Sequence, residues 1–296
     1  MAQAPSLLAD GIHFGEGPRW RDGRLWFSDF YAHKVLSVSR AGDLRTEVEI
    51  DDQPSGLGWM PDGSLLIVSM IKRQVLRRFP NGEVRVHADL GAYATFHCND
   101  MVVDAQGRAY VGNFGFDLDA AMAARGVAAV FADHAVATLV RVDPDGSVHV
   151  AAPDMHFPNG SVITPDGRTL IVGETLAGRL TAFDIAADGG LSNRRVWAQV
   201  APRVPDGIAL DAEGAIWIAN PMAPECARIQ HGGAVLEVID TGQPCYACAL
   251  GGEDGRTLFM LTAAPLTGEG EGDGRPTGRL LTTQVATPGA SAPRAG

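Results

Sequence analysis

The stretches "FPNGSVITPDGRTLIVGE" (157–174) and "VPDGIALDAEGAIWIAN" (204–220) follow one pattern. Each runs Pro, a short oxygen-bearing residue, Gly, an apolar strand, an Asp/Gly or Glu/Gly turn, and a second apolar strand. Asn159 and Asp206 occupy the same place in the two copies. The Asp-Gly and Glu-Gly pairs supply the positive φ that tight hairpin turns require.

Working outward, the pattern recurs as "GPRWRDGRLWFSDF" from Gly17, "GLGWMPDGSLLIVSM" from Gly56, "DMVVDAQGRAYVGNF" from Asp100 and "ACALGGEDGRTLFMLTA" from Ala247. After most copies comes a further alternating hairpin, such as "QVLRRFPNGEVRVHADL" or "TLVRVDPDGSVHVAA". Each unit thus holds four antiparallel strands at a period of roughly 40 to 60 residues, the mark of propeller blades. Six copies predict an all-β, six-bladed β-propeller with four-stranded antiparallel blades. Two β-sandwich domains would not produce a regular repeat without a linker. The expected organisation is one domain over 1–286, with "SLLAD" as an outer strand of the sixth blade beside "GRLLTTQVA", and a disordered tail over 287–296.

Two insertions break the period. Asp117 to Val136 is Ala-rich and predicts a short helix, and Leu266 to Arg279 predicts a solvated, Gly-rich acidic loop without EF-hand spacing. The first follows "GNFGFD" and is expected to cover the channel mouth, because long loops on rigid scaffolds often carry function.

The residues just before the six copies are Glu16, Ser55, Asn99, Asn159, Asp206 and Tyr246. The first strand of each blade lines a propeller's channel, so these positions form a ring at one mouth. Glu16, Asn99, Asn159 and Asp206 would converge there as oxygen donors carrying two formal negative charges. That suits one hard divalent cation. Singly, each is more often a turn or strand-start residue; four in repeat register carry the inference.

Composition narrows the partners. A net charge of −11 over 296 residues disfavours nucleic acid and anionic membrane, both of which need a basic face. No apolar run approaches the length of a membrane span. The start lacks a basic region followed by a long apolar core, so a cytoplasmic location is expected. The four cysteines are then reduced thiols, and the lone "CYAC" (245–248) is a weak redox or zinc signal. His13, His134 and His156 are scattered, with no nucleophile-elbow motif.

The segments "GEGPRW", "HCNDMVVDAQGRAYVGNFGFD", "FPNGSVITPDGRTLIV" and "VPDGIALDAEGAIWIA" resemble the regucalcin/gluconolactonase (senescence-marker-protein) family along nearly the whole chain. The resemblance implies a six-bladed propeller with one divalent cation (calcium, magnesium, manganese or zinc) held by Glu16, Asn159 and Asp206. It makes Asp206 the catalytic carboxylate as well and places Asn99 beside substrate or water. The implied activity is a hydrolase opening a lactone or related ester. On that reading a carbonyl is polarised by the cation, and Asp206 orients or deprotonates the attacking water.

One departure stands out: sugar-lactone hydrolases of the family usually carry Arg two residues before that Asn, where this chain has His97. His97 offers one donor and one acceptor where Arg offers a charged fork. A less polar or aromatic substrate is therefore expected, with Phe96, Phe114, Phe116, Phe157 and Met222 as candidate pocket residues. The rival readings are a phosphotriesterase on the same metal site, similar to diisopropylfluorophosphatase, a metal-independent strictosidine-synthase-like propeller, and a binding platform. The oxygen ring argues against the last two, since neither needs it.

Overall fold

In the computed structural model, which describes residues 4–265 and 275–291, the strands form six four-stranded antiparallel sheets arranged as a six-bladed β-propeller. The inner strands of the blades are Gly15–Arg21, Pro54–Trp59, Cys98–Val103, Pro158–Ile163, Ile208–Leu210 and Cys245–Gly251. Within blades one to five each strand pairs with the next in sequence. The sixth is closed by both ends of the fold: Ser6–Ile12 pairs with Gly278–Gln284, Ser6 opposite Thr282 and Ile12 opposite Gly278.

Burial along a blade follows its place in the ring. Second strands such as Leu65–Ser69 and Ile216–Asn220 are buried at every residue, because neighbouring blades cover both faces. Outer strands such as Val84–Asp89 are mostly exposed. Between blades one and six, Leu25, Phe27 and Val38 pack against Ala247, Phe259 and Leu261. Burying each such large side chain contributes about 1.5–3 kcal/mol, so the seams hold the ring together.

The first insertion forms two helices, α1 (Leu118–Arg125) and α2 (Val127–Ala132), where a single short helix is the simplest expectation. Gly126, at φ 79°, separates them. The Asp117 side chain caps α1 by accepting from the Ala120 N–H. Leu118, Met122, Val130 and Phe131 pack with Phe157 and Leu176 of the fourth blade.

The expected loose tail needs correction over its first residues. The Ala212 N–H donates to the Pro288 carbonyl at 2.8 Å, and the Ala290 N–H donates to the Leu210 carbonyl at 2.9 Å. Thr287 also accepts from Arg228 at 3.2 Å. These hydrogen bonds tie 287–290 to the fifth blade; 292–296, like 266–274 of the second insertion, lie outside the described residues.

Candidate active site

Each ring residue sits where its strand leaves regular pairing. Register breaks at Glu16/Arg19, Pro54/Leu57, Cys98/Met101, Pro158/Ser161 and Cys245/Ala247 interrupt five inner strands at the ring level. In the fifth blade regular pairing starts only at Ile208, just after Asp206. Such irregularities re-aim side chains and recur beside functional sites. The glycines that follow let adjacent blades touch. A Cβ on Gly160 would lie 2.5 Å from the Asp206 carbonyl oxygen, and one on Gly207 would lie 2.6 Å from Ala247 Cα. Backbone hydrogen bonds run through these contacts, from Gly160 N–H to Asp206 O at 3.2 Å and from Gly207 N–H to Tyr246 O at 2.8 Å.

All six ring residues are buried. Ser55 Oγ donates to Asn99 Oδ1 at 3.4 Å. Asn159 Nδ2 donates to Thr175 Oγ1 at 3.2 Å, and Thr175 Oγ1 donates to the Pro205 carbonyl at 2.8 Å. Among the described residues this orientation leaves Asn159 Oδ1 buried with no hydrogen-bond partner, and Asp206 Oδ1 is in the same condition. Among the described residues Glu16 accepts only from its neighbour, the Gly17 N–H, at 3.3 Å.

Both carboxyls hold their protons unusually tightly. Burial pushes Glu16 well above the ordinary carboxylate range, and the charges of Asp206 and Asp100 push it further. Burial likewise raises Asp206, with the charge of Asp100 adding and a hydrogen bond from Asn159 opposing.

Asp100 is a neighbour that the repeat argument passes over. It accepts from Arg19 Nη2 at 3.2 Å, and the same Arg19 nitrogen donates to the Met101 carbonyl at 2.5 Å, so blade one is bound to blade three. The only advance signal was a buried-type charge beside Asn99 and an Arg three residues after Glu16.

Buried unpartnered oxygens are rare in native proteins and call for a partner. Asn159 Oδ1, Asp206 Oδ1 and the Glu16 carboxyl fit a hard cation, which prefers oxygen ligands and relieves carboxylate repulsion. Among the described residues no three His, Cys, Asp or Glu side chains form a metal cluster. The ring offers two such carboxylates; its other side-chain oxygens are the amides of Asn99 and Asn159 and the hydroxyls of Ser55 and Tyr246.

Between α1 and the third blade lies a cavity of about 350 Å³, with no ring residue in its lining. Its blade wall is Phe96, His97 and Phe114; its other wall is α1, with Asp117, Leu118, Asp119, Ala120 and Ala123. His97 stands two residues before Asn99, and its carbonyl accepts from the Phe114 N–H at 2.9 Å. The Phe114 ring lies 4.5 Å from that of Phe157, which stands two residues before Asn159. His97 stacks on Phe96 at 4.1 Å between ring centres, and burial lowers its pKa, which keeps it neutral at pH 7.

The other sequence candidates fall elsewhere. Phe116 does not line the cavity; it packs in the cluster beneath α1 and stacks on His134 at 6.2 Å. Phe157 is buried, and Met222 is 56% exposed. His134 and His156, scattered in sequence, meet: His134 Nε2 and His156 Nδ1 are 2.9 Å apart, and His134 Nδ1 lies 2.9 Å from the Val130 carbonyl. Burial pushes the Cys98 thiol up to about 12, and all four cysteines are buried and unbridged, which makes them poor nucleophiles. No helix among the described residues is long and apolar enough to cross a membrane.

Comparison with known proteins places this architecture. Residues 14–264 match the model of the SMP-30/Gluconolactonase/LRE-like region. The chain is 27% identical over 279 residues to the pentonolactonase XacC of Haloferax volcanii, covering 90% of this chain and 86% of that one. It is 26% identical over 304 residues to a 6-deoxy-6-sulfogluconolactonase of Pseudomonas putida, covering 99% and 96%. Among solved structures, the calcium-binding protein regucalcin of Agrobacterium tumefaciens superposes with a TM-score of 0.78 at 21% identity, covering 98% and 96%. Repeat and family match agree, and the chain belongs to the SMP-30/gluconolactonase/LRE-like family.

Proposed function

We propose that this protein is a divalent-metal-dependent lactonase. The observation that carries the reading is the pair of buried, unpartnered oxygens, Asn159 Oδ1 and Asp206 Oδ1, in the ring that also contains Glu16. Two relatives named for lactone hydrolysis and a structural neighbour named as calcium-binding support it.

Glu16, Asn159 and Asp206 would hold the cation, and availability selects among calcium, magnesium, manganese and zinc. When bound, a divalent cation supplies Lewis-acid polarisation of a carbonyl oxygen. Asp206 takes the proton of the water that adds to the acyl carbon. As the acyl–oxygen bond breaks, Asp206 returns that proton to the departing ring oxygen, which leaves as a hydroxyl, and the product is a hydroxy acid. Asn99, held through its Oδ1 by Ser55, keeps its amide N–H groups for substrate or water. Phe96, Phe114 and His97 receive the organic part of the lactone, and Phe116 supports that wall from beneath α1.

Metal analysis of purified protein, followed by hydrolysis of a lactone panel before and after chelation, tests the reading. One bound divalent ion per chain and chelator-sensitive hydrolysis are expected. Undiminished hydrolysis by fully metal-stripped protein would overturn it. A paraoxon-type phosphotriester in the same panel separates the phosphotriesterase alternative.

A further inference from the structure

The cavity between α1 and the third blade has an uneven charge. Phe96 and Phe114 give it aromatic walls, and His97 is neutral. Two carboxylates, Asp117 and Asp119, complete the α1 side, and no Lys or Arg is among its lining residues. The two acids are not equivalent. Asp117 is engaged as the cap of α1, whereas Asp119 makes no hydrogen bond or ion pair among the described residues. Asp119 lies at the open rim, near enough to His97 for its charge to act on the ring. Arg73 also acts on His97, but its guanidinium donates to the Ala94 carbonyl at 3.1 Å, outside the cavity lining. A volume of about 350 Å³ suits a small ring with one substituent.

Aromatic faces with an uncommitted carboxylate are the chemistry that recognises an alkylammonium group. We infer that the cavity selects lactones by charge, favouring a substrate whose substituent is an alkylammonium, with Asp119 as the specificity residue. This rests on the lactonase reading only for the identity of the ring being bound; the charge preference belongs to the cavity itself. A lactone with a carboxylate or sulfonate on the same arm meets Asp119 as a like charge.

Three γ-butyrolactones that differ at one arm test the inference: trimethylammoniomethyl, the isosteric neopentyl, and carboxymethyl. Their lactam counterparts resist hydrolysis and report binding alone by calorimetry. The cationic lactam is expected to bind about fivefold more tightly than the neopentyl one, the scale of one partly exposed ion pair, and the anionic lactam most weakly. Asp119→Asn should bring the first ratio below about twofold, and Asp119→Glu should retain it. Added salt should shrink the ratio in the wild type and leave it unchanged in Asp119→Asn. In turnover the difference should lie in KM, with kcat nearly constant. Equal affinities for the three lactams, or a charge order that survives in a folded Asp119→Asn protein, would overturn the inference whatever the lactonase result. Charge-ordered lactam binding without hydrolysis of any lactone would uphold it and remove the lactonase reading instead.

Discussion

Glu174 and Asp206 are both carboxylates sealed from solvent, and the protein treats them oppositely. Glu174 ends the second strand of blade four and is fully served. It accepts from Arg179 at 2.8 Å, Arg194 at 3.3 Å, the His156 N–H at 2.8 Å and Thr181 Oγ1. Burial works to raise its pKa, but those donors outweigh burial and lower it. Asp206 has one oxygen without a partner, and its pKa rises. Asp29 resembles Glu174, accepting the N–H groups of His13 and Phe14 at 3.0 and 2.9 Å. One set of acids fastens the loops between blades. The other is left underserved where the blades converge, in keeping with the cation site proposed above.

The sharpest way to break this contrast is Asp206→Asn, which removes a charge and keeps the shape. We expect loss of divalent-cation uptake by metal analysis, and a fall in lactone turnover of at least about 100-fold. The fold should persist by circular dichroism. Full metal content and full activity in this variant would place the site elsewhere.

Glu174→Ala should do the reverse. Removing the carboxylate strands Arg179 and Arg194. Breaking a fully buried pair costs about 3–5 kcal/mol, and the partial exposure of both arginines reduces the expected loss to about 2 kcal/mol. A urea titration measures it. Cation uptake by the remaining folded protein should be intact, and a Glu174→Ala protein as stable as the wild type would show the network to be idle.

The pH dependence of the metal-free protein sharpens the comparison. Glu16 and Asp206 have raised pKa values in the folded state, so the native protein binds more protons than the unfolded chain. Their contribution is fully present below the unfolded values of about 4 and is lost as pH rises through the folded values. Glu174 has the opposite sign, contributing above its unfolded value and fading as pH falls through its lowered one. Calorimetry should therefore find that added cation raises Tm more at pH 8 than at pH 5. An equal rise at both values would mean that the carboxyls do not titrate with cation binding.

The smallest effect concerns the cavity wall. His97→Arg should shift relative kcat/KM towards polyhydroxylated lactones by about three- to tenfold, because a guanidinium offers a fork of donors where a neutral imidazole offers one. The present His97 predicts weak hydrolysis of gluconolactone and better hydrolysis of apolar or aromatic lactones. Cation content should not change. An unaltered lactone preference would show that His97 does not read substrate polarity.

How legible these features were depends on whether a period carries them. The hairpin turns at Asp62-Gly63 and Asp166-Gly167 declare themselves, with the glycines at φ 84° and 69°, and six such units specify the propeller. The burial of Glu16, Asn99, Asn159 and Asp206 follows from their shared place at the inner strands of the repeat. Asp100 was hidden because simple alternation turns neighbours of Asn99 away from the channel, and only the break between Cys98 and Met101 places it close to Glu16 and Asp206. Asp119, the His134–His156 contact and the clamp at Pro288 depend on how insertions and ends fold back. Such contacts join distant residues without a repeating pattern, so spacing gives no signal for them.

Closure of the sixth blade has a consequence for how the protein is made. Among the described strands Ser6–Ile12 leaves the ribosome first, and its partner Gly278–Gln284 leaves last. Domains form as units during translation, and here the first described strand must remain unpaired until the other five blades have emerged. Glu16 and Asp206 are separated by four blades of that synthesis. A nascent chain can hold its first five blades in order and still lack the seam that joins beginning to end. Its open edges are strands seeking a partner, so the interval before closure is when pairing between neighbouring nascent chains is most probable.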